Sequence, residues 1–393
     1  MRSRISYTLR LFALLAAFVA ASCVNDNEPD CPPIGQARQY VLNLRVVTSK
    51  AATRMTRAAG HDTEEATPDE DYIDIAGQDF LVLVFDGYGR LIQRFEPSST
   101  VIKQGQGQDA AAYELSGVLG ETSANEIQVA VIANCNSMGA NGAYDQFVLG
   151  NTFLSEMYSN GTKWNFTLPH PDGGWQPNTE AKRTIPMYGC SDVKSLSPEN
   201  ATQSADDENR YDLNLGEIKM LRAVAKIEIV DCLPEGVEIA PNVTLSAYNT
   251  QGRLIPDATK NPDWNVEGTQ VTSPTLPDNV QTAADLNFFT ESKTIGGTER
   301  KVYSAYVTEA DLTTNRPHIN LTVKDSDGQG TSSKEYEMAV DSYPDGQATQ
   351  GLAALLRNHI YRYEIKSASS NSLTVNYTIC PMGSDTADIP AFE

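Results

Sequence analysis

Short runs in which apolar and polar residues alternate recur along this chain. Residues 39–47 read QYVLNLRVV, with Tyr40, Leu42, Leu44 and Val46 in one row and Val41, Asn43, Arg45 and Val47 in the other. A period of two is the signature of a half-buried strand. Residues 80–85 are apolar throughout, which predicts a strand covered on both faces. Asp86-Gly87-Tyr88-Gly89 then supplies a turn, and residues 90–95 read as the returning strand of a hairpin. Residues 127–133 predict another buried strand. A second series opens at 220–230 and continues at 243–248, 302–307, 319–323, 335–340, 360–365 and 373–379, with a hairpin turn at 324–328. Helical spacing is brief, around 153–158 and 352–357, and the stretches 170–182 and 196–210 read as loops. Many short strands with turn signals between them predict an all-β protein built of sandwiches.

The N-terminus follows a different pattern. Arg2, Arg4 and Arg10 precede an apolar run over 11–19, followed by Ala20, Ala21 and Ser22. This is the grammar of a secretory signal peptide, too short to remain as a membrane-spanning helix. Ala20-Ala21-Ser22-Cys23 resembles the bacterial lipobox, which implies cleavage before Cys23 and acylation of that cysteine. Two or three acyl chains suffice for stable anchoring. Residues 23–38 then form a polar, acidic tether, VNDNEPD directly after Cys23, which resembles the acidic segment of surface-exported lipoproteins of the Bacteroidales. The expected location is the outer membrane, on the cell surface.

Length and charge narrow the rest. The 393 residues suit two domains, with the boundary in the acidic loop 204–209 or just after it, giving 39–215 and 216–393. The formal charge of −21 repels phosphate backbones and anionic headgroups, which argues against nucleic acid as a partner and leaves lipid as the membrane link. If Cys23 is acylated, Cys31, Cys135, Cys190, Cys232 and Cys380 remain, an odd number with no C-x-x-C spacing and no pairing legible from sequence.

No catalytic or cofactor-binding constellation is written here. The four histidines, His61, His170, His318 and His359, lack H-E-x-x-H or other zinc-ligand spacing, and G-x-S-x-G is missing. Gly105-Gln-Gly-Gln-Asp-Ala110 lacks the third glycine of a dinucleotide loop. Asp325-Ser-Asp-Gly328 lacks the closing glutamate of an EF-hand and reads as a turn. Gly189-Cys190-Ser191-Asp192 carries a cysteine better read as structural than as a nucleophile. No cofactor, metal or enzymatic activity is expected. Asn-x-Thr triplets at Asn160, Asn165, Asn200, Asn242, Asn320 and Asn376 fit a strand-and-turn composition. Asp385-Thr386-Ala387 fits a short O-glycosylation pattern. The tryptophans Trp164, Trp175 and Trp264 are candidates for a sugar-stacking platform or for packing.

Taken together, the lipobox, Cys31-Pro-Pro, the stretch LVLVFDGYG at 81–89, LRAVAKIEI at 221–229 and the ending Cys380-Pro-Met…Asp388-Ile-Pro390 resemble the fimbrial subunit families of the Bacteroidales, the FimA-like and FimB/Mfa-like proteins of type V pili. The early second cysteine and the Cys-Pro-Met ending resemble the FimB/Mfa anchor or accessory branch. The resemblance implies two tandem transthyretin-like β-sandwich domains, no catalysis, other fimbrial subunits as partners and assembly by strand exchange. It places the exchanging residues at Val41, Leu42, Leu44 and Val46 in the first strand and at Leu373, Val375, Tyr377 and Ile379 near the C-terminus. Arg54 and Arg57 would be the sites at which a protease releases the first strand. Two alternatives stand beside the anchor role: a proteolytically matured stalk or tip fimbrillin, and, from another class, a surface glycan-binding lipoprotein of a polysaccharide uptake system. A host or bacterial surface ligand is a further candidate partner.

Overall fold

The structure, a computed structural model, describes residues 38–48, 79–104, 112–134, 145, 147–158, 165–168, 185–264, 271–277, 280–283, 285–326, 331–340, 352–369 and 372–382. The signal segment 1–22, the tether up to residue 37, Cys23, Cys31, Arg54, Arg57, Cys135, Trp164 and Trp175 lie outside the described residues.

The first series of strands is β1 (Gln39–Thr48), β2 (Phe80–Asp86), β3 (Leu91–Phe95), β4 (Val101–Gln104), β5 (Tyr113–Leu119), β6 (Glu126–Ala133), β7 (Asn165–Thr167), β8 (Met187–Cys190), β9 (Lys194–Ser195), β10 (Thr202–Gln203) and β11 (Arg210–Arg222), with one short α-helix among the described residues, α1 (Leu154–Tyr158). They pair in the order β3-β2-β6-β8-β11-β1-β5-β4. The long β11 pairs with β1 as far as Met220 and with β8 at Leu221 and Arg222, so it passes from one layer into the other. The core between them takes Leu42, Leu44, Val46, Leu115 and Leu119 from one side and the residues of β2 and β6 from the other. Every residue of β2 is buried, as its unbroken apolar run predicts. The β2–β3 turn closes as expected: Asp86 Oδ1 accepts from the backbone N–H groups of Tyr88 and Arg90, and Gly89 takes the left-handed backbone (φ +75°).

The second series begins with β12 (Ala225–Asp231), β13 (Val237–Ile239), β14 (Thr244–Ser246), β15 (Tyr248–Asn249), β16 (Gln251–Arg253), β17 (Thr282–Ala283) and β18 (Leu286–Asn287). It continues with β19 (Phe289–Ile295), β20 (Thr298–Val307), β21 (Ala310–Asp311), β22 (His318–Ser326), β23 (Thr331–Ala339), β24 (Ala354–Leu355), β25 (His359–Ala368) and β26 (Leu373–Pro381). One sheet runs β19-β20-β12-β25-β26 and the other β13-β22-β14-β18, with β23 on β22. Their facing residues, among them Ile227, Ile229, Tyr361, Tyr363 and Val375 against Ile239, Leu245, Ile319 and Leu321, form a second core. Buried tyrosine hydroxyls tie the layers: Tyr303 donates to the Ile239 carbonyl and Tyr363 to the Val340 carbonyl. The chain is all-β, two sandwiches in tandem.

Three details depart from the sequence pattern. The apolar stretch 220–230 is divided between the two sandwiches. β11 ends at Arg222, β12 starts at Ala225, and the buried Arg222 guanidinium donates to Asn358 Oδ1 at the crossing. Residues 215 and 216 fall inside β11. The segment 352–357 is extended rather than helical, because β24 pairs with β21 and the Arg357 backbone N–H donates to the Glu309 carboxylate. A single turn of helix pays the full nucleation cost and loses to such contacts. Within the expected loop 196–210, Thr202 and Gln203 join the sheet beside β11.

Candidate strand-exchange site

Strand β1 is not at an edge. It lies between β11, to which it is parallel, and β5, to which it is antiparallel. The alternation along its sequence decides its faces. Tyr40, Leu42, Leu44 and Val46 point into the first core, and Asn43 and Arg45 on the opposite face are half-buried. Val41 and Val47 are buried as well.

The groove that holds β1 has defined walls. Leu42 lies between Leu213 of β11 and Gly117 of β5, and Val46 between Ile218 and Tyr113. A Cβ at Gly117 would stand 3.0 Å from the Phe95 ring, so a larger residue there would push the ring aside. Tyr40 stacks near Tyr211 at 5.7 Å between ring centres, and its hydroxyl donates to the Leu196 carbonyl at 3.1 Å. The ladder is irregular at one point. Asn43 pairs with Asn214 but Arg45 with Glu217, so Leu215 and Gly216 together face Leu44. Gly216 is left-handed (φ +80°), and its N–H donates to Asn214 Oδ1 at 2.8 Å. Such a bulge pins the register of the strand beside it.

Burying Tyr40, Leu42, Leu44 and Val46 contributes on the order of 6–12 kcal/mol, as an upper estimate. The whole stability of a domain is about 5–15 kcal/mol. A sandwich that lost β1 without replacement would therefore be left near or below zero stability, with an open apolar groove and two unpaired backbone edges.

The second set of candidate residues sits elsewhere. Val375 and Tyr377 are buried in the second core, and Leu373 and Ile379 are half-buried against it. All four belong to β26, which pairs with β25 and forms one edge of its five-stranded sheet. The Tyr363 and Tyr377 rings lie 4.8 Å apart. The two candidate sets therefore belong to different sandwiches. The groove walls, Tyr113, Leu115 and Leu119 on β5 and Leu213 and Leu215 on β11, are positions that the first-strand pattern does not point to. Their own period-two alternation is the signal that marks them.

Other singled-out residues prove structural. Cys190 is buried beside Tyr158 and Tyr188, and burial pushes its thiol up to about 11, the wrong direction for a nucleophile. Cys232 is half-buried, and burial raises its thiol as well. Trp264 is buried with its ring 5.3 Å from Tyr188 and 6.3 Å from Tyr158, so it packs the first core instead of offering a face to a sugar. Among the described residues, no group of three or more His, Cys, Asp or Glu side chains converges as metal ligands would.

No family model matches the sequence, and no curated protein does. Among solved structures, the chain is similar to the tip fimbrial protein Mfa3 of Porphyromonas gingivalis, determined with a C-terminal truncation, at 14% identity and a TM-score of 0.49 over 87% of this chain and 99% of that one. It is also similar to a fimbrial assembly protein of Parabacteroides distasonis, at 14% identity and a TM-score of 0.40 over 87% and 95% of the two chains. A third is the fimbrial anchor protein Mfa2 of Porphyromonas gingivalis, at 12% identity and a TM-score of 0.32 over 86% and 97%.

Proposed function

We propose that this chain is a non-enzymatic fimbrial subunit of the bacterial surface, held at the outer membrane through lipid on Cys23 and joined to other subunits by β-strand exchange. The observation that carries the reading is the position of β1: an interior strand, near the start of the chain, whose withdrawal opens an apolar groove between β5 and β11. The sequence motifs shared with the FimB/Mfa-like branch support an anchor or accessory role. In that role the lipidated segment and β1 stay in place, and the subunit ends a fibre at the membrane. Cleavage at Arg54 or Arg57 would instead release β1 and make the chain a stalk or tip subunit. Division of the mature chain into two sandwiches, with the change-over after Arg222, is part of the same reading.

Intact mass spectrometry and N-terminal mapping of the protein from native cell envelopes test this. A chain beginning at acylated Cys23 supports the anchor. A lipid-free chain beginning at Met55 or Ala58 in sheared fibres supports a stalk or tip subunit. A lipidated chain that never associates with fibres and binds immobilised polysaccharide would overturn the reading in favour of a glycan-binding lipoprotein.

A further inference from the structure

The face of the β1 groove opposite the first core carries charge on both sides of Arg45. Arg45 of β1 stands between Glu217 of β11 and Glu114 of β5, its two cross-strand neighbours in the ladders. The Arg45 guanidinium is 3.8 Å from the Glu217 carboxylate, and Glu114 and Glu217 are both exposed. One step along, Asn43 donates to Asp212 Oδ1 at 3.4 Å. Among the cations of the flanking strands, Lys103 of β4 faces Glu114, Lys219 faces Val47 and Arg210 faces Gln39 at the start of β1. Three carboxylates and three cations thus line the rim, but the position that Arg45 fills is flanked by acid on both sides. Like charges set directly across a ladder destabilise it, whereas opposite charges support it.

The last strand, β26, and the residues that follow it carry no cation to match the vacated position. Residues 373–393 contain no Lys, Arg or His, and they carry Asp385, Asp388 and Glu393. We infer that the groove selects, as incoming strand, a segment of a different subunit with Lys or Arg at the position of Arg45 and apolar residues at the positions of Leu42, Leu44 and Val46, and that it prefers such a strand to the C-terminal segment of a second copy of this chain. The inference rests on the strand-exchange reading in its stalk or tip form, in which β1 leaves the groove, and names the partner that reading needs. The bulge at Leu215-Gly216 holds the register, so a cation one residue away would point into the apolar core and gain nothing. The chain's own β1, which seats a cation between the two glutamates, is the occupant that shows the match. Attraction at the position of Arg45 favours a strand that carries a cation there over one that does not.

The test uses the full chain with a protease site placed between residues 49 and 78, cut so that β1 is held only by its contacts, and fluorescent peptides supplied in excess. The peptide QYVLNLRVVT should enter the cut chain and not the uncut one. Its Arg45→Glu variant should bind about tenfold more weakly, the size expected when two exposed pairs change from attraction to repulsion. A chain with Glu114→Lys and Glu217→Lys should reverse that preference. Peptides 373–381 and 383–393, which carry no cation, should compete more weakly than the β1 peptide. Equal uptake of the Arg45→Glu peptide, or competition by either C-terminal peptide as strong as that of the β1 peptide, would overturn the charge selection while leaving strand exchange intact. Uptake of no peptide at all would overturn strand exchange itself, and this inference with it.

Discussion

Arg357 donates to a Glu309 carboxylate oxygen at 2.7 Å, and both side chains are buried. The same carboxylate accepts the backbone N–H groups of Arg357 and Thr275, and the Arg357 guanidinium also reaches the Arg253 and Leu254 carbonyls. One buried ion pair thus gathers four separated stretches of chain, at 253–254, 275, 309 and 357. Breaking it from one side leaves a guanidinium without its counter-charge in the interior. Glu309→Ala should cost about 3–5 kcal/mol. Urea unfolding followed by tryptophan fluorescence checks this, and a loss below 1 kcal/mol would mean that water reaches the pair.

Within the exchange groove, Leu42 is fully buried between Leu213 and Gly117. Leu42→Ala should destabilise the uncut chain by about 2–5 kcal/mol through lost contact and a residual cavity. The matching change in the β1 peptide should weaken its uptake in parallel. If Leu42→Ala has no effect on either, β1 is not the groove's main apolar filler.

The acid response should centre on Glu228. Burial works to raise its carboxyl, but Lys226, Lys293 and Arg362 outweigh burial and hold it well below the usual carboxylate range. A depressed folded value means that the stabilisation is fully present above the unfolded value, about 4.3. It is then lost as pH falls through the folded value. Glu228→Gln should therefore be less stable than the wild-type chain at pH 7, and the gap should narrow steadily from pH 4 downwards. Melting temperatures measured between pH 2 and pH 7 decide it. A gap independent of pH would assign the loss to packing.

The two sandwiches share more than a linker. β16 of the second series pairs with β7 of the first, and Leu254, Ile255, Trp264 and Val271 complete the first core. The chain should accordingly unfold in one calorimetric transition. Gly252 lies at this junction, where an added Cβ would stand 2.7 Å from the Phe166 ring and 2.8 Å from the Thr308 methyl. Gly252→Ala should cost about 1–3 kcal/mol through overpacking. It should also begin to separate the unfolding of the two sandwiches. Two well-resolved transitions in the wild-type chain would show that the junction is weak.

The local pattern was enough to locate most strands, because a half-buried strand must alternate and a doubly covered one cannot. β1, β2, β6, β20, β22, β25 and β26 all lie where such runs occur. The same reasoning singled out Val41, Leu42, Leu44 and Val46 as one strand but carried no information about which strands would flank it. It also read through Arg222-Ala223-Val224, since apolar residues on both sides of a crossing look like one strand when each side is buried in a different core. The helical spacing at 352–357 failed because Glu309, distant in sequence, claims Arg357.

Residue order and periodicity alone give the all-β class, the faces of the longer strands, the acidic character of the chain and the lipobox-like N-terminus. Strand pairing adds that β1 is parallel to β11 and interior to its sheet, that a bulge at Leu215-Gly216 fixes its register, and that Glu114 and Glu217 flank Arg45. Those relationships join residues far apart in the chain through backbone hydrogen bonds, and every peptide carries the same donor and acceptor. The hydrogen-bonding groups do not distinguish one partner strand from another. Pairing is chosen only when the side chains of both strands meet a common core.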